Sequence, residues 1–217
     1  MRHATIRSAL VAAMAGLFVM TGGAAAQAAH AHMGHVADGW GDAPDGAGLL
    51  PTAAAEADIA STHAGLAVSN ASDLAAIKAH IGHVANAVDP TVETAGPGKG
   101  YGLIKAATGA ATHIRLAAES DDASDNVKLH ATHVATSADN VVARAQRIME
   151  LAAEVKATDD VAAAAAMAEE IQELTQAIVS GHDADGDGRV SWGEGEGGLE
   201  QAAFHMDLMK KGEGTDK

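Results

Sequence analysis

The chain has 217 residues, a formal net charge of −15 at pH 7 and no cysteine. The acidic balance opposes binding to nucleic acid and to anionic lipid, and it favours cationic partners. Without cysteine there can be no disulfide, no thiolate metal site and no covalently attached c-type haem. Aromatic residues make up only 2% of the chain and alanine is abundant, a composition that suits closely packed helices better than a sheet sandwich.

The N-terminal segment, residues 1–28, has the pattern of an export signal. A basic start containing Arg2 and Arg7 precedes an apolar run over residues 9–20, which is too short to span a bilayer comfortably. The cleavage pattern Ala-Gln-Ala follows at residues 26–28, so that Ala29 would be the new N-terminus. We therefore predict a periplasmic or secreted protein with no membrane insertion after signal removal. A retained membrane anchor is the alternative.

Residues 29–52 are rich in histidine, glycine and acidic residues and lack apolar periodicity, so we expect a flexible tail. Together with a free amine at the mature N-terminus, this tail could capture copper or nickel weakly. The side chains that would take part are those of His30, His32, Met33 and His35. A disordered segment with no metal role is the alternative.

From residue 53 onwards the apolar residues recur at three- and four-residue steps, which is typical of helices. The predicted helices cover residues 53–68, a segment capped by Ser72 or Asp73 and ending at Val88, and then 103–119, 125–156, 161–180 and 199–209. A glycine-rich loop separates the second and third helices, and the end from residue 210 should be frayed. The predicted fold class is all-α.

An internal repeat with a 50-residue shift relates residues 60–89 to residues 110–139, where 11 of 30 positions are identical. Each unit is a predicted helical hairpin that cannot bury its apolar face alone. The two hairpins should therefore pack as a four-helix bundle over residues 53–157, with approximate two-fold symmetry. Three histidines fall in register in the two units: His63, His80 and His83 in the first, and His113, His130 and His133 in the second.

The repeated histidines are candidate ligands of a metal ion or haem. His80 and His83 lie three residues apart, as do His130 and His133, and this spacing lets two imidazoles on one helical face reach one ion. An all-imidazole site would suit zinc, copper or nickel, and a pair of imidazoles could hold haem b. Histidines that serve only as surface or core residues are the alternative, because the pattern places His80 and His83 beside the apolar stripe rather than within it.

The segment Asp183–Glu194 has the pattern of a twelve-residue calcium loop, with aspartates at positions 1, 3 and 5 and a glycine at position 6. The expected ligands are the carboxylates of Asp183, Asp185, Asp187 and Glu194, the backbone carbonyl of Arg189, and Ser191 through a water molecule. Over residues 171–200 the chain resembles the EF-hand family. The resemblance implies a helix-loop-helix unit within residues 158–217 that binds Ca²⁺.

Two departures from the family pattern bear on the role of this loop. EF-hands normally occur in pairs and the sequence contains one such loop, so pairing with a second copy of the chain in a homodimer stays open. Glycines at 195, 197 and 198 follow the loop and disfavour a stiff exiting helix, which a calcium sensor needs. We therefore favour a structural or low-affinity calcium site over a switch.

The sequence contains no motif typical of a serine hydrolase, a phosphate-binding loop or a zinc metalloprotease, and we do not expect an enzyme. The leading prediction is an exported calcium-binding protein with an EF-hand site on a helical bundle. One alternative is a periplasmic metal-handling or electron-transfer protein that binds copper, zinc or non-covalent haem through the bundle histidines. A second alternative is an interaction module that calcium orders.

Overall fold

A computed structural model of the protein describes residues 28–216, and within this range the regular structure is helical, which confirms the all-α fold class. The predicted export signal lies almost entirely outside the described residues. The α-helices are α1 (Ala28–Ala37), α2 (Leu49–Ser69), α3 (Leu74–Val88), α4 (Leu103–Glu119), α5 (Asp125–Ala157), α6 (Val161–Ser180) and α7 (Leu199–Glu213), with a short 3-10 turn at Pro44–Gly46. None of the helices in the described range combines the length and apolarity needed to cross a bilayer.

Side-chain caps explain where three of these helices begin. The carboxylate of Asp73 accepts hydrogen bonds from the backbone N–H groups of the first turn of α3, and Asp160 does the same for α6. The Ser124 hydroxyl accepts from Val127 N–H at the start of α5. Each cap satisfies donors that the helix itself cannot pair, which typically contributes about 1 kcal/mol.

Small side chains set the close packing of the helices. On α2 the buried alanines recur at steps of four and three residues: Ala53, Ala57, Ala60, Ala64 and Ala67. Because helix separation depends on the side chains at the contact, this stripe lets α2 pack closely on its neighbours α3, α4 and α6. The predicted hairpin partners are in contact, α2 with α3 and α4 with α5, and α7 packs on α5. Buried residues from α1 to α7 form one continuous core.

The prediction of a flexible tail over residues 29–52 is wrong. Residues 28–37 form α1, which packs on α4, and α2 begins at Leu49. Ala29, Met33 and Val36 are buried, and their steps of four and three residues place them on one helical face. Three apolar positions on a short helix carry too little periodicity to be recognised in sequence.

The prediction that the chain is frayed from residue 210 onwards is also wrong for residues 210–213, because α7 continues to Glu213. The Glu213 carboxylate accepts hydrogen bonds from Ser124 Oγ at 2.5 Å and from Asn126 Nδ2 at 3.0 Å. The Lys210 ammonium group lies 2.6 Å from an Asp38 carboxylate oxygen. These contacts join the last turn of α7 to the start of α5 and to the segment after α1.

A buried carboxylate holds the glycine-rich loop that leads into α4. Glu56 on α2 is fully buried, and its two oxygens accept hydrogen bonds from the backbone N–H groups of Lys99, Tyr101 and Gly102 at 2.9–3.1 Å. Gly102 is the N-terminal cap of α4 and has a φ of +90°, which favours glycine. Glu56 therefore positions the start of α4, the helix that carries His113.

Candidate metal centres

Among the described residues, nine histidines form three clusters of three. In each cluster, one ring nitrogen from each histidine lies within 4.8 Å of the other two. Each cluster combines two histidines three residues apart on one helix with a third from another helix. We call them site 1 (His32, His35 and His113), site 2 (His63, His80 and His83) and site 3 (His130, His133 and His205). The i, i+3 spacing places both imidazoles of a pair on one face of their helix, where a neighbouring helix can present the third.

Site 2 lies between α2 and α3. The Nδ1 atom of His63 on α2 is 3.1 Å from the Nδ1 atom of His80 and 3.3 Å from that of His83, both on α3. All three side chains are half-buried. The turn between Asn70 and Asp73 joins the two helices directly, so the site is local in sequence.

Site 1 connects α1 to α4. The Nδ1 atoms of His32 and His113 lie 2.9 Å apart, although the two residues are 81 positions apart in the chain. The Nδ1 atom of His35 is buried and has no hydrogen-bond partner among residues 28–216. The Trp40 ring packs against this site, with its centroid 4.8 Å from that of His35 and 4.6 Å from that of His113. A buried imidazole nitrogen without a partner is costly, and a bound cation would satisfy it.

Site 3 connects α5 to α7. The Nδ1 atoms of His130 and His133 each lie 3.2 Å from the Nδ1 atom of His205. His205 is only 9% exposed. The Trp192 ring stacks on the His133 ring at 4.1 Å and 18°, and Phe204 meets His205 edge-on at 5.3 Å. The site is therefore lined by aromatic rings on two sides.

The surroundings favour neutral imidazoles in all three sites. Burial lowers the pKa of His32, His63, His113 and His133, and nearby histidines lower it further. For His205, burial followed by the proximity of His133 and His130 lowers the pKa to about 4. A neutral imidazole has a free lone pair on one ring nitrogen, which is the form that binds a metal ion.

The nitrogen separations match the spacing around a single ion. Two imidazole nitrogens bound to one tetrahedral zinc at about 2.0–2.1 Å would be about 3.3 Å apart. In five of the nine histidine pairs within these sites, one in site 1 and two each in sites 2 and 3, the Nδ1 atoms lie 2.9–3.3 Å apart. In a contact between two neutral imidazoles, one Nδ1 donates its proton and the other accepts it with its lone pair. When a third imidazole approaches the same place, these Nδ1 atoms cannot all be paired in this way. A small cation at the centre would serve all three.

Sequence and structure comparisons add no family assignment to this geometry. No known protein family, curated protein or solved structure matches the chain. The chemistry of the three centres therefore has to be inferred from their own ligand atoms and surroundings.

The six histidines of the repeat all belong to a site, but their pairing differs from the repeat pattern. In the first unit His63 meets His80 and His83 within one hairpin. In the second unit the equivalent His113 belongs to a site with the α1 histidines. The α5 pair, His130 and His133, instead contacts His205 of α7. The site residue that the sequence analysis missed altogether is His205, which stands alone on its helix with no spacing signal.

The four side chains predicted to form an N-terminal capture site separate in the folded chain. His32 and His35 belong to site 1. The His30 Nε2 atom instead lies 3.1 Å from a Glu213 oxygen, and Met33 is buried in the core. The spacing of His32 and His35 equals that of the repeated pairs, which was the signal available in the sequence.

The acidic loop brings three of its predicted ligands together. Carboxylate oxygens of Asp183, Asp185 and Asp187 lie within 4.8 Å of one another. The Asp183 carboxylate accepts hydrogen bonds from the backbone N–H groups of Gly186 and Gly188 at 2.8 and 2.9 Å. Both glycines have φ near +80°, as the predicted sharp turn at position 6 requires.

At the closing position of the loop, Glu194 lies apart from the other predicted carboxylate ligands: it is exposed and does not join the aspartate cluster. The Arg189 N–H donates to Asp187, a bond that does not involve the Arg189 carbonyl, which is the predicted ligand atom. A buried carboxylate two residues after Glu194, that of Glu196, accepts a hydrogen bond from Ser191 N–H at 2.8 Å. The hydroxyl and N–H of Ser191 lower the pKa of Glu196 and favour its charged form. The helix after the loop begins only at Leu199.

Side chains of α5 hold the segment that follows Trp192. Asn140 donates to the Gly193 carbonyl at 2.8 Å and accepts from Gly195 N–H at 2.9 Å. The Arg144 guanidinium donates to the carbonyls of Gly195, Glu196 and Gly197 at 2.7–3.0 Å. His133, Asn140 and Arg144 follow one another at steps of seven and four, so one face of α5 carries both the site 3 ligand and the groups that fix the loop.

Proposed function

We propose that this chain is a transition-metal-binding protein that carries one ion at each of three trihistidine centres. The observation that carries the proposal is that ring nitrogens of three histidines converge within 4.8 Å in each cluster, with at least one pair of Nδ1 atoms 2.9–3.3 Å apart in each. The buried Nδ1 atom of His35, which has no hydrogen-bond partner in the described part of the chain, supports it independently. Solvated histidines would have no reason to gather in threes at three separate places in the fold.

The ligand chemistry favours zinc or copper. The three centres offer neutral imidazole nitrogens and no thiolate, and imidazole suits both of these metals. Three protein ligands leave a fourth tetrahedral position for water or an exchanging ligand. Calcium is disfavoured at these centres because it prefers oxygen ligands.

The geometry disfavours the alternative of non-covalent haem. Two axial imidazoles of a haem lie on opposite faces of the porphyrin, with their nitrogens roughly 4 Å apart across the iron. At least one pair of Nδ1 atoms in each cluster lies closer together than this, at 2.9–3.3 Å, and a nitrogen of the third imidazole lies within 4.8 Å of both partners. The centres are better suited to a single small ion than to a flat macrocycle.

We infer a role in metal handling, such as storage, buffering or delivery, rather than catalysis. The same centre occurs three times with no dedicated acid, base or nucleophile among its ligands. The proposed compartment is the periplasm or the cell exterior, on the strength of the N-terminal signal pattern. The duplicated hairpins, proposed as a four-helix bundle, would serve as the scaffold of these centres.

A second proposed function is calcium binding at the acidic loop, which resembles an EF-hand. It is favoured by the convergence of Asp183, Asp185 and Asp187 and by the turn at Gly188. Calcium would add oxygens from the Arg189 carbonyl, from Ser191 through water, and from Glu194 if that exposed side chain swings inward. The proposed role is structural, with pairing to a second chain as an additional possibility for an unpaired loop.

The two proposals can be tested on one sample. Metal-free protein is titrated by calorimetry with Zn²⁺, with Cu²⁺ and with Ca²⁺ at neutral pH and physiological salt. We expect strong binding of three zinc or copper ions and separate, weaker binding of one calcium ion. Zinc and copper titrations without binding heat would contradict the main proposal, and a calcium titration without heat or thermal stabilisation would contradict the second.

A further inference from the structure

The three centres differ in what surrounds their ligands, and we propose that site 2 exchanges its ion with external ligands whereas sites 1 and 3 retain theirs. The inference rests on the proposed function, because it concerns the ions that the three centres would hold. It assigns transfer of the ion to external ligands to His63, His80 and His83. The six histidines of sites 1 and 3 would store their ions or stabilise the fold.

Both tryptophans of the chain pack against candidate ligands, and each serves a different site. Trp40 contacts two imidazoles of site 1, those of His35 and His113. Trp192 stacks face to face on His133 of site 3. A bound imidazole leaves an ion by rotating about its side-chain torsions, and a large ring packed against it hinders that rotation. The ligands of sites 1 and 3 are therefore held in place more firmly than their hydrogen bonds alone would suggest.

Trp40 also lines a cavity beside site 1. An open cavity of about 500 Å³ borders this part of the protein. Of the three ligands only His113 lines it, together with Trp40, while the Nδ1 atom of His35 is buried. The ligand that faces this cavity is His113, and the Trp40 indole beside it packs on both His113 and His35.

The segment that follows Trp192 is held by α5, the helix that carries His133, the ligand on which Trp192 stacks. Asn140 and Arg144 of α5 hold the backbone of residues 193–197 through several hydrogen bonds. The ring therefore stays on His133 without needing to be buried itself; it is 36% exposed. The third ligand of this site, His205, is the most buried of the nine histidines.

Site 2 lacks such a cover. Among the described residues, the aromatic contacts of this site are those of its three imidazoles with one another. Its ligands are half-buried, as are those of site 1, so what distinguishes site 2 from site 1 is the missing indole contact and not the burial of the ligands. Exchange of a metal ion proceeds fastest when an incoming ligand can bind before the last protein ligand leaves. Without an indole packed on them, the imidazoles of site 2 are freer to rotate and admit such a ligand than those of sites 1 and 3.

The test follows release of Zn²⁺ from the full-length protein loaded with three equivalents. The protein is mixed in a stopped-flow instrument with excess 4-(2-pyridylazo)resorcinol, which changes colour when it takes up zinc. We expect one equivalent to leave at least tenfold faster than the other two.

His80→Ala should abolish the fast phase. Trp40→Phe and Trp192→Phe should each accelerate one slow phase several-fold without changing the number of ions bound. Tyr101→Phe, which alters an aromatic residue lining the same cavity as Trp40, is the matched control and should leave all phases unchanged.

The outcomes separate this inference from the proposed function. If the protein binds fewer than three ions before the chelator is added, the proposed function fails and this inference fails with it. If three ions bind but leave in a single phase, or if the fast phase persists in His80→Ala, only the division of roles is overturned. Slow phases that are unchanged in both tryptophan variants would also overturn it.

Discussion

His63 and His113 occupy the same position in the 50-residue repeat, yet they belong to different kinds of site. His63 lies 3.1 Å from His80, inside its own hairpin, whereas His113 lies 2.9 Å from His32 on a helix outside the repeat. The pair on α5 is thereby free to bind a histidine from α7. A duplicated hairpin with a strictly repeated arrangement would have two centres. The exchange of partners allows three.

This pairing can be tested with double variants. In the structure His113 and His32 share a site, and His113 and His130 do not. We expect His113→Ala/His32→Ala to lose one of three bound zinc ions and His113→Ala/His130→Ala to lose two. Loss of a ligand's hydrogen-bonding partner already lowers metal affinity roughly 10- to 100-fold, and loss of one of three ligands should lower it more. The measurement is zinc stoichiometry by native mass spectrometry. Loss of a single ion in the second variant would show that the sites pair as the repeat suggests.

The stability of the metal-free protein should fall as the pH is lowered through the range from about 6.5 to 4. The unfolded His205 binds a proton near its ordinary pKa of 6.5, whereas burial lowers its pKa in the folded chain to about 4. Below pH 6.5 the unfolded state therefore binds more protons, and the free energy of unfolding decreases until the folded His205 also titrates. The loss from this one group should be on the order of 2–3 kcal/mol.

The pH effect is measured by urea unfolding of metal-free protein at pH 7, 6, 5 and 4. His205→Gln has no titrating group at this position and should show a flatter pH dependence than the unchanged protein. The pKa is also lowered at other histidines, so the free energy of unfolding should still decrease somewhat with falling pH in His205→Gln. These histidines are His32, His63, His113 and His133. An equally steep pH dependence in His205→Gln would contradict the assignment.

Glu56→Ala should destabilise the fold strongly. The change leaves the N–H groups of Lys99, Tyr101 and Gly102 without their acceptor, and the last two of these bonds are buried. A buried donor without a partner costs about 1–3 kcal/mol, so a total loss of at least about 3 kcal/mol in the free energy of unfolding is expected. Glu169→Ala removes an exposed glutamate and should change stability by less than about 0.5 kcal/mol. Similar stability of the two variants, measured by urea unfolding, would argue against the role of Glu56.

Glu194→Gln tests the closing position of the acidic loop. If this side chain swings inward to bind calcium with two oxygens, loss of one charged oxygen should weaken calcium binding at least tenfold. Zinc binding at the three histidine centres should not change. Glu200→Gln, a nearby exposed change on α7, is the control and should leave calcium affinity as it is. An unchanged calorimetric affinity for calcium in Glu194→Gln would rule out the predicted ligand.

Much of the helical framework could be predicted because its signals are local. Leu103–Glu119 and Val161–Ser180 agree with the predicted bounds, since glycine-rich or capped segments flank clear apolar stripes. The short α1 could not be predicted in this way, because glycines and acids around it outweigh its few apolar residues. The spacing of the histidine pairs indicated candidate ligands, but partner choice depends on how distant helices pack. That is why His113 and His205 were not placed correctly from sequence.

The most direct test of three trihistidine centres is the number of zinc or copper ions that metal-free protein binds tightly at neutral pH. Native mass spectrometry of the titrated full-length chain should show a species with three ions, and the triple variant His63→Ala/His80→Ala/His83→Ala should stop at two. A chain that binds no ion tightly, or a triple variant that binds as many ions as the unchanged protein, would contradict the account.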